Sequence, residues 1–366
     1  MSNLDFIPHR GSGASRFGWH FLSAWSKCET YFWRRHLEPH PSGGFGIEPR
    51  GERIEFVLGR AFHTGLELWR RSWLTEGTPN LELSLEGARK VLTASWPTPE
   101  GPDADFSDKW TKGRATLDRM LPRFHATYGP DGVKPDTSYV PLFDSEGEPT
   151  IEYELSIDVG FEGYVYTARL DFIGEREGYL WALEYKTTAA SGLSGLRQRI
   201  ELDGQFTGQN WLLHDALVSK VPSAAGIPIA GVTLCAIVKD RAAKSTDPDL
   251  VRDTTSRTEP QLEKFRVDVA RKLDRIENSV GNYRQLLERG ATPEAAGLLA
   301  FDGSPDGYTC RGPFGKCEFF DLCANREQTG ELLQLQFEPR VTDEREHNPF
   351  APAPAPTPTV EEPTNA

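Results

Sequence analysis

The chain has 366 residues, 38% of them hydrophobic, and a formal net charge of −13. That length suits one large domain with insertions or two domains, and the apolar content is enough for a sizeable buried core. An acidic balance argues against a protein that coats a polyanion, and without an apolar run of eighteen residues no membrane-spanning helix is expected.

The N-terminal stretch MSNLDFIPHRGSG carries no apolar h-region, so a secretory leader is not expected and the cytoplasm is the default location. Residues 1–20 read as a leading segment. FLSAWSKCETYFWRRHL then reads as a helix starting near Ser23, with Cys28 inside it. After a Gly/Pro-rich loop, a second helix is predicted from about Glu55 to Trp73, because Phe62, Leu66, Trp69 and Trp73 recur at helical spacing. His63 borders that stripe. Residues 77–140 are polar and punctuated by Pro and Gly, and read as a helical insertion laid over the core.

Three strands follow, IEYELSID, YVYTARLDFIG and YLWALEYKT, joined as an antiparallel meander with a turn at Gly174–Gly178. A helix is predicted over DGQFTGQNWLLHDALVS. The apolar run GVTLCAIVKD reads as a central strand buried on both sides. A long helix is expected from Glu259 to Glu288, where Leu262, Phe265, Val269, Leu273, Ile276, Val280, Tyr283 and Leu287 fall three or four apart. Residues 331–366 read as a disordered Pro/Ala-rich tail. The fold class is therefore α/β, with a mixed central sheet of four or five strands flanked by helices.

The chemistry concentrates in ARLDFIGEREGYLWALEYKTT. Strand side chains alternate, so Glu184 and Lys186 share one face while Tyr185 points to the other. The hairpin folds Asp171 back toward them. Two carboxylates and an ammonium at one point suit phosphodiester hydrolysis: the carboxylates can hold Mg²⁺ or Mn²⁺, and the lysine can orient water and offset charge on the phosphate. Arg34, Arg35, Arg60, Arg197, Arg199, Lys239, Arg241 and Lys244 are candidates to line a basic groove.

Five cysteines are present, Cys28, Cys235, Cys310, Cys317 and Cys323. An odd count in a chain expected to be intracellular favours metal binding over disulfides. Four thiolates can enclose a [4Fe–4S] cluster or a zinc ion. Cys235 lies in the apolar strand and reads as structural.

Asp171 followed by Glu-Tyr-Lys at 184–186 resembles the PD-(D/E)xK nuclease superfamily, and within it the RecB-like branch. GRAFHTGLE resembles that branch's Gly-x-x-x-His segment, which implies that His63 joins the metal site with Asp171, Glu184 and the carbonyl of Tyr185. In DGQFTGQNW, Gln205 matches the glutamine of a Gln-x-x-x-Tyr motif, while Gln209 stands where tyrosine is usual. Ala168 replaces a frequent glycine. The resemblance implies Lys186 as the catalytic lysine and Gln205 as a residue that positions it or DNA. One distant cysteine plus the cluster CRGPFGKCEFFDLC resembles the iron-sulfur nucleases of this branch, the AddB nuclease domain and the CRISPR adaptation exonucleases. It implies a [4Fe–4S] staple on Cys28, Cys310, Cys317 and Cys323. The nuclease domain would span 21–330 and act on DNA ends or single strands in recombination, repair or phage DNA processing. The competing expectation is a DNA-binding or assembly subunit that keeps the fold without turnover; a restriction-type endonuclease shares the chemistry but lacks the staple.

Overall fold

The structure is a computed structural model that describes residues 18–340, except 51–53, 96–103, 133, 161–163, 240–249, 304–309, 313–314 and 326–328. Of the groove candidates, Arg241 and Lys244 lie outside the described residues, as do 1–17 and the last part of the expected tail, 341–366.

The chain opens with α1 (Trp19–Lys27), α2 (Glu29–His36), β1 (Ile47–Pro49), α3 (Ile54–Glu76), α4 (Leu81–Ser95) and α5 (Ala104–Tyr128). The sheet region follows: β2 (Val140–Pro141), β3 (Ile151–Asp158), β4 (Val165–Arg176), β5 (Tyr179–Thr188), α6 (Ala190–Arg199), α7 (Gly204–Asp215), α8 (Leu217–Lys220), β6 (Ile229–Val238) and β7 (Leu250–Thr255). The rest is α9 (Glu259–Glu288), α10 (Pro293–Ala300), β8 (Arg311–Gly312), β9 (Gly315–Lys316), α11 (Phe320–Ala324), α12 (Thr329–Gln336) and β10 (Phe337–Pro339). None of the described helices is long and apolar enough to cross a membrane.

The main sheet is mixed and has six strands, in the order β2-β4-β5-β6-β7 with β3 also paired to β4. β4 and β5 form an antiparallel hairpin through a two-residue turn, where Glu177 and Gly178 both take positive φ, 56° and 79°. That conformation matches strand twist, and Gly at its second position makes it cheap. The turn is therefore tighter than Gly174–Gly178, and Gly174 is a strand residue opposite Trp181. β5 pairs β6 in parallel and β6 pairs β7 antiparallel, which makes β6 the buried central strand its composition predicted.

Helices cover both faces. α1, α2, α7, α9 and α10 build one core on Leu170, Leu180, Ala182, Val232 and Leu234. α3, α4 and α5 build the other on Phe172, Leu183, Tyr185, Cys235 and Ile237. Residues 77–140 are thus not a cap over a finished core, because Leu85, Ala88, Leu117, Leu121 and Phe124 are part of the second core itself. The boundary expected at 331 also moves. α12 and β10 pack Leu333 and Phe337 against Ile47, Phe319 and Leu322, and β10 pairs antiparallel with β1. This small third core ties the C-terminal segment to the region after α2.

Candidate active site

The site forms where β4 and β5 separate. Their ladder ends at Phe172 opposite Leu183. Beyond that pair the amide of Tyr185 has no β4 carbonyl to meet, and it donates instead to Asp171 Oδ2 at 2.6 Å. The splay leaves a notch with Asp171 on one strand and Glu184 and Lys186 on the other.

A second irregularity shapes the notch. β3 pairs β4 in one constant register, with Ile151 opposite Phe172 and Tyr153 opposite Leu170, so Glu152 falls beside Asp171. Ile151 and Phe172 face the second core, whereas Leu155 and Leu170 face the first. The pair rolls over between them, and Glu152 sits at the roll with φ +49°, a left-handed conformation that costs a non-glycine residue free energy. The roll turns Glu152 and Asp171 toward the same place. His63 arrives from α3, with Nδ1 3.4 Å from Asp171 Oδ1 and 3.8 Å from Glu152 Oε1.

Among the described residues, the one group of three or more His, Cys, Asp or Glu whose ligand atoms lie within 4.8 Å of one another is His63, Glu152 and Asp171. One imidazole nitrogen and two carboxylates are a donor set that a hard divalent ion accepts. Glu152 is the residue that sequence reasoning missed. Strand alternation groups it with Glu154 and Ser156, and only the register against β4 brings it to Asp171.

Glu184 and Lys186 lie beside this group on the face covered by α7. Lys186 Nζ is 2.6 Å from Glu184 Oε1. Gln205 donates to Oε1 and Gln209 to Oε2, both at 2.6 Å. Gln209 thus binds the second oxygen of the same carboxylate that Gln205 binds. The two amides are one helical turn apart on α7, which is N-capped by Asp203 accepting from the Gln205 amide at 2.8 Å. α7 reaches this depth through Gly204 and Gly208. A Cβ at the first would lie 2.1 Å from the Trp19 ring and at the second 2.0 Å from the Tyr166 hydroxyl.

Electrostatics follow from this packing. Burial, with the charge of Asp171 beside it, pushes Glu184 above the usual carboxylate range, although Lys186 pulls the other way. Burial likewise raises Glu152, to about 7, against the counter-pull of His63. Burial works against ionised Asp171 too, but His63, Lys186 and the Tyr185 amide outweigh it and hold that carboxyl low. Desolvation disfavours charged His63 and charged Lys186, yet the neighbouring carboxylates raise both above their ordinary values. The pit nonetheless opens to solvent: the His63 side chain is 28% exposed and that of Lys186 31%, while Glu184 at the floor is 4% exposed.

The Tyr185 ring points away from the pit, into the second core, where its hydroxyl donates to Asp136 at 3.0 Å. Only its backbone borders the site.

The basic groove is not assembled as expected. Arg34 is fully buried on Glu38 at 2.8 Å, and Arg35 pairs Glu318 at 2.9 Å. Arg197 is committed to Asp253, Arg199 to the Gly195 carbonyl, and the Lys239 carbonyl accepts from Arg119. Arg60 stays half-buried on α3.

Cys28 sits between α1 and α2, and Cys310, Cys317 and Cys323 lie in the segment docked near them. The Cys317 amide donates to the Cys310 carbonyl at 2.8 Å. Tyr31 of α2 packs its ring on Phe319 at 5.1 Å, and Cys317 borders the third core. No three of these thiols lie within 4.8 Å of one another. A tetrahedral zinc holds its sulfurs about 3.8 Å apart, so they are not preset for that ion. Cys235 is buried, and burial pushes its thiol up to about 12.

A family model described as the PD-(D/E)XK nuclease superfamily matches residues 22–323. No curated protein matches. Among solved structures, a candidate exonuclease from Eubacterium rectale aligns with a TM-score of 0.37 and 10% identity, over 71% of this chain and 79% of that one. A likeness that distant carries no argument about this chain. The family match covers the notch, α3, α7 and Cys28, Cys310, Cys317 and Cys323, and by it the chain belongs to the PD-(D/E)XK nuclease superfamily.

Proposed function

We propose that this chain is a metal-dependent DNA nuclease of the RecB-like branch, an exonuclease acting on DNA ends or single strands in recombination, repair or phage DNA processing. The observation that carries this reading is the meeting of His63, Glu152 and Asp171 beside the Glu184–Lys186 pair in one open pit.

His63, Glu152 and Asp171 would hold a divalent ion, Mg²⁺ or Mn²⁺, with Glu184 and the Tyr185 carbonyl completing the set. When bound, the ion would polarise the scissile phosphate and acidify a water. Glu184 has limited capacity for it: a carboxylate has about four lone-pair positions, and Gln205, Gln209 and Lys186 occupy three. Its larger task is to fix Lys186. Lys186 is held charged by Glu184 and Asp171, so it would donate hydrogen bonds to the oxygen of the attacking water or to the phosphate and balance the charge that builds there. Gln205 and Gln209 fix the Glu184 carboxylate at the floor of the pit.

The cysteines Cys28, Cys310, Cys317 and Cys323 would bind a [4Fe–4S] cluster that fastens α1 and α2 to the C-terminal segment. Supporting this are the docking of Phe319 on Tyr31, the Cys317–Cys310 backbone bond, and a family match that ends at Cys323. None of the five cysteines is in a disulfide, which suits a reducing compartment such as the cytoplasm.

The test is cleavage of labelled single- and double-stranded DNA with Mg²⁺ or Mn²⁺, with and without chelator. Cutting that needs the metal and is lost in Lys186→Ala supports the nuclease. A parent protein that binds DNA and cuts none of it under any of these conditions replaces the enzyme with a binding or assembly subunit. For the cysteines, anaerobic purification should give a brown protein containing iron, and zinc without iron would overturn the cluster.

A further inference from the structure

The face of α3 that presents His63 carries one more feature. Phe56 lies seven residues before His63, so the two side chains point within about 20° of each other around the helix and stand about 10 Å apart along it. Arg60, one turn after Phe56, falls on the same stripe. Phe56 is 61% exposed, more than any other aromatic ring among the described residues. This is not a loosely seated helix end. Val57 and Leu58 beside it are buried, Gly59 stands against Thr187 at the end of β5, and Gly113 of α5 is pressed on Ile54 and Leu58. The helix is held on its other sides, and the ring is left exposed two turns from His63 on the same stripe.

We propose that Phe56 is a stacking platform for an unpaired nucleobase of a strand whose phosphate sits at the His63–Glu152–Asp171 group. The proposal rests on the nuclease reading and names the form of its substrate. Every base has a π-face, so such a platform binds single strands without choosing sequence. In a duplex each base already stacks on its neighbours and has no face to give. A distance of about 10 Å spans roughly three stacked nucleotides at ~3.4 Å each, so the stacked base lies two or three positions from the phosphate at the pit. Arg60, between ring and imidazole, sits where the intervening phosphates pass. An apolar platform with few cations also fits a chain of net charge −13, in which six groove candidates serve other contacts or stay half-buried.

The experiment compares the parent, Phe56→Ala and Phe56→Trp on labelled oligodeoxythymidylate and on its duplex with oligodeoxyadenylate. Binding is read by fluorescence anisotropy without divalent metal, and cleavage with Mg²⁺. The alanine variant should raise Kd and KM for the single strand at least about fivefold, the lower end for loss of one base–aromatic stack. It should leave kcat and duplex binding nearly unchanged, and the tryptophan variant should retain parental affinity. Because Phe56 is exposed, these variants keep the fold, which circular dichroism checks. Unchanged single-strand affinity in Phe56→Ala overturns the proposal, and so does an equal loss on duplex. A parent that cuts DNA while the variants behave alike sinks the platform and spares the nuclease. A parent that binds single strands through Phe56 but never cuts sinks the nuclease and spares the platform.

Discussion

Two clusters of buried charge lie back to back across β5, and Tyr185 belongs to both. On one side its amide meets Asp171 in the pit. On the other its hydroxyl joins Asp136, which also accepts from Arg70 at 2.8 Å and from Arg252. The side chain of Asp136 is 0% exposed. Arg70 lies over the Phe172 ring at 3.7 Å and Arg252 over Tyr128 at 3.8 Å, so the arginines are closed in by aromatic faces. The sealed cluster has one acid for two guanidinium groups. The open one has Glu152, Asp171 and Glu184 against His63 and Lys186, an excess of acid with two of its carboxyls pushed up. Burial of charge alone therefore does not mark a site. An opening to solvent and an unbalanced set of oxygen donors do.

The first way to break the comparison is to remove one acid from each side. Asp171→Asn should reduce cleavage at least about 10³-fold, roughly 4 kcal/mol of transition-state stabilisation. It should lower the melting temperature only slightly, because the charge that His63 and Lys186 hold is lost while Glu152 and Glu184 are relieved of a neighbouring carboxylate and Asn keeps an acceptor for the Tyr185 amide. Single-turnover cleavage and a thermal melt on the same preparation check both halves, and a large fall in Tm would make the pit a structural cluster. Asp136→Ala should do the reverse. It strands the buried Arg70 and the half-buried Arg252, at a cost of about 3–5 kcal/mol by denaturant unfolding. Unaltered stability there would show that the sealed cluster holds nothing together.

The sealed and open clusters were unequally legible in the sequence. The hairpin that carries Asp171, Glu184 and Lys186 could be read because alternation and a Gly turn are local signals. α9 could be read to its ends because Thr258 and Gln261 form a capping box around Pro260 and the apolar period never lapses. Glu152 could not, since its role depends on a backbone roll and a register. β7 was missed because LVRDTT looks polar; its Arg252 is consumed by Asp136 and its Asp253 by Arg197, partners distant in sequence. Arg34 was misread for the same reason, as its partner Glu38 is buried with it. The helical character of 77–140 could be read, but its place could not, since only tertiary packing shows that the apolar faces of α4 and α5 complete a core.

A gentler probe sharpens the contrast through protons. In the pit, Glu152 near 7 and a raised His63 both carry protons below neutrality. Bound metal requires the imidazole neutral and the carboxyl ionised, so it must displace them. Affinity for Mn²⁺ should therefore rise with pH between 6 and 8, about tenfold per unit for each proton released. Calorimetry in buffers of different ionisation enthalpy counts those protons. Affinity that is flat across this range would remove Glu152 and His63 from the ligand set.

The smallest effect expected is at Gln209, and it separates positioning from packing. Gln209→Leu keeps the volume buried under α7 but leaves Glu184 Oε2 without its donor. Groups that orient a functional side chain in this way cost about 10–100-fold when removed, and here the lower end applies because Gln205 and Lys186 still hold Oε1. Freed on one side, Glu184 should be protonated more easily, so the acid limb of the pH–rate profile should move up, which mere loosening of α7 would not cause. Gln209→Tyr, which restores the residue usual in the motif, should recover the profile if its hydroxyl reaches the same oxygen. A Leu variant with parental rate and parental pH limb would show that Gln205 alone sets the carboxylate, and that the two amides, alike in geometry, are unlike in function.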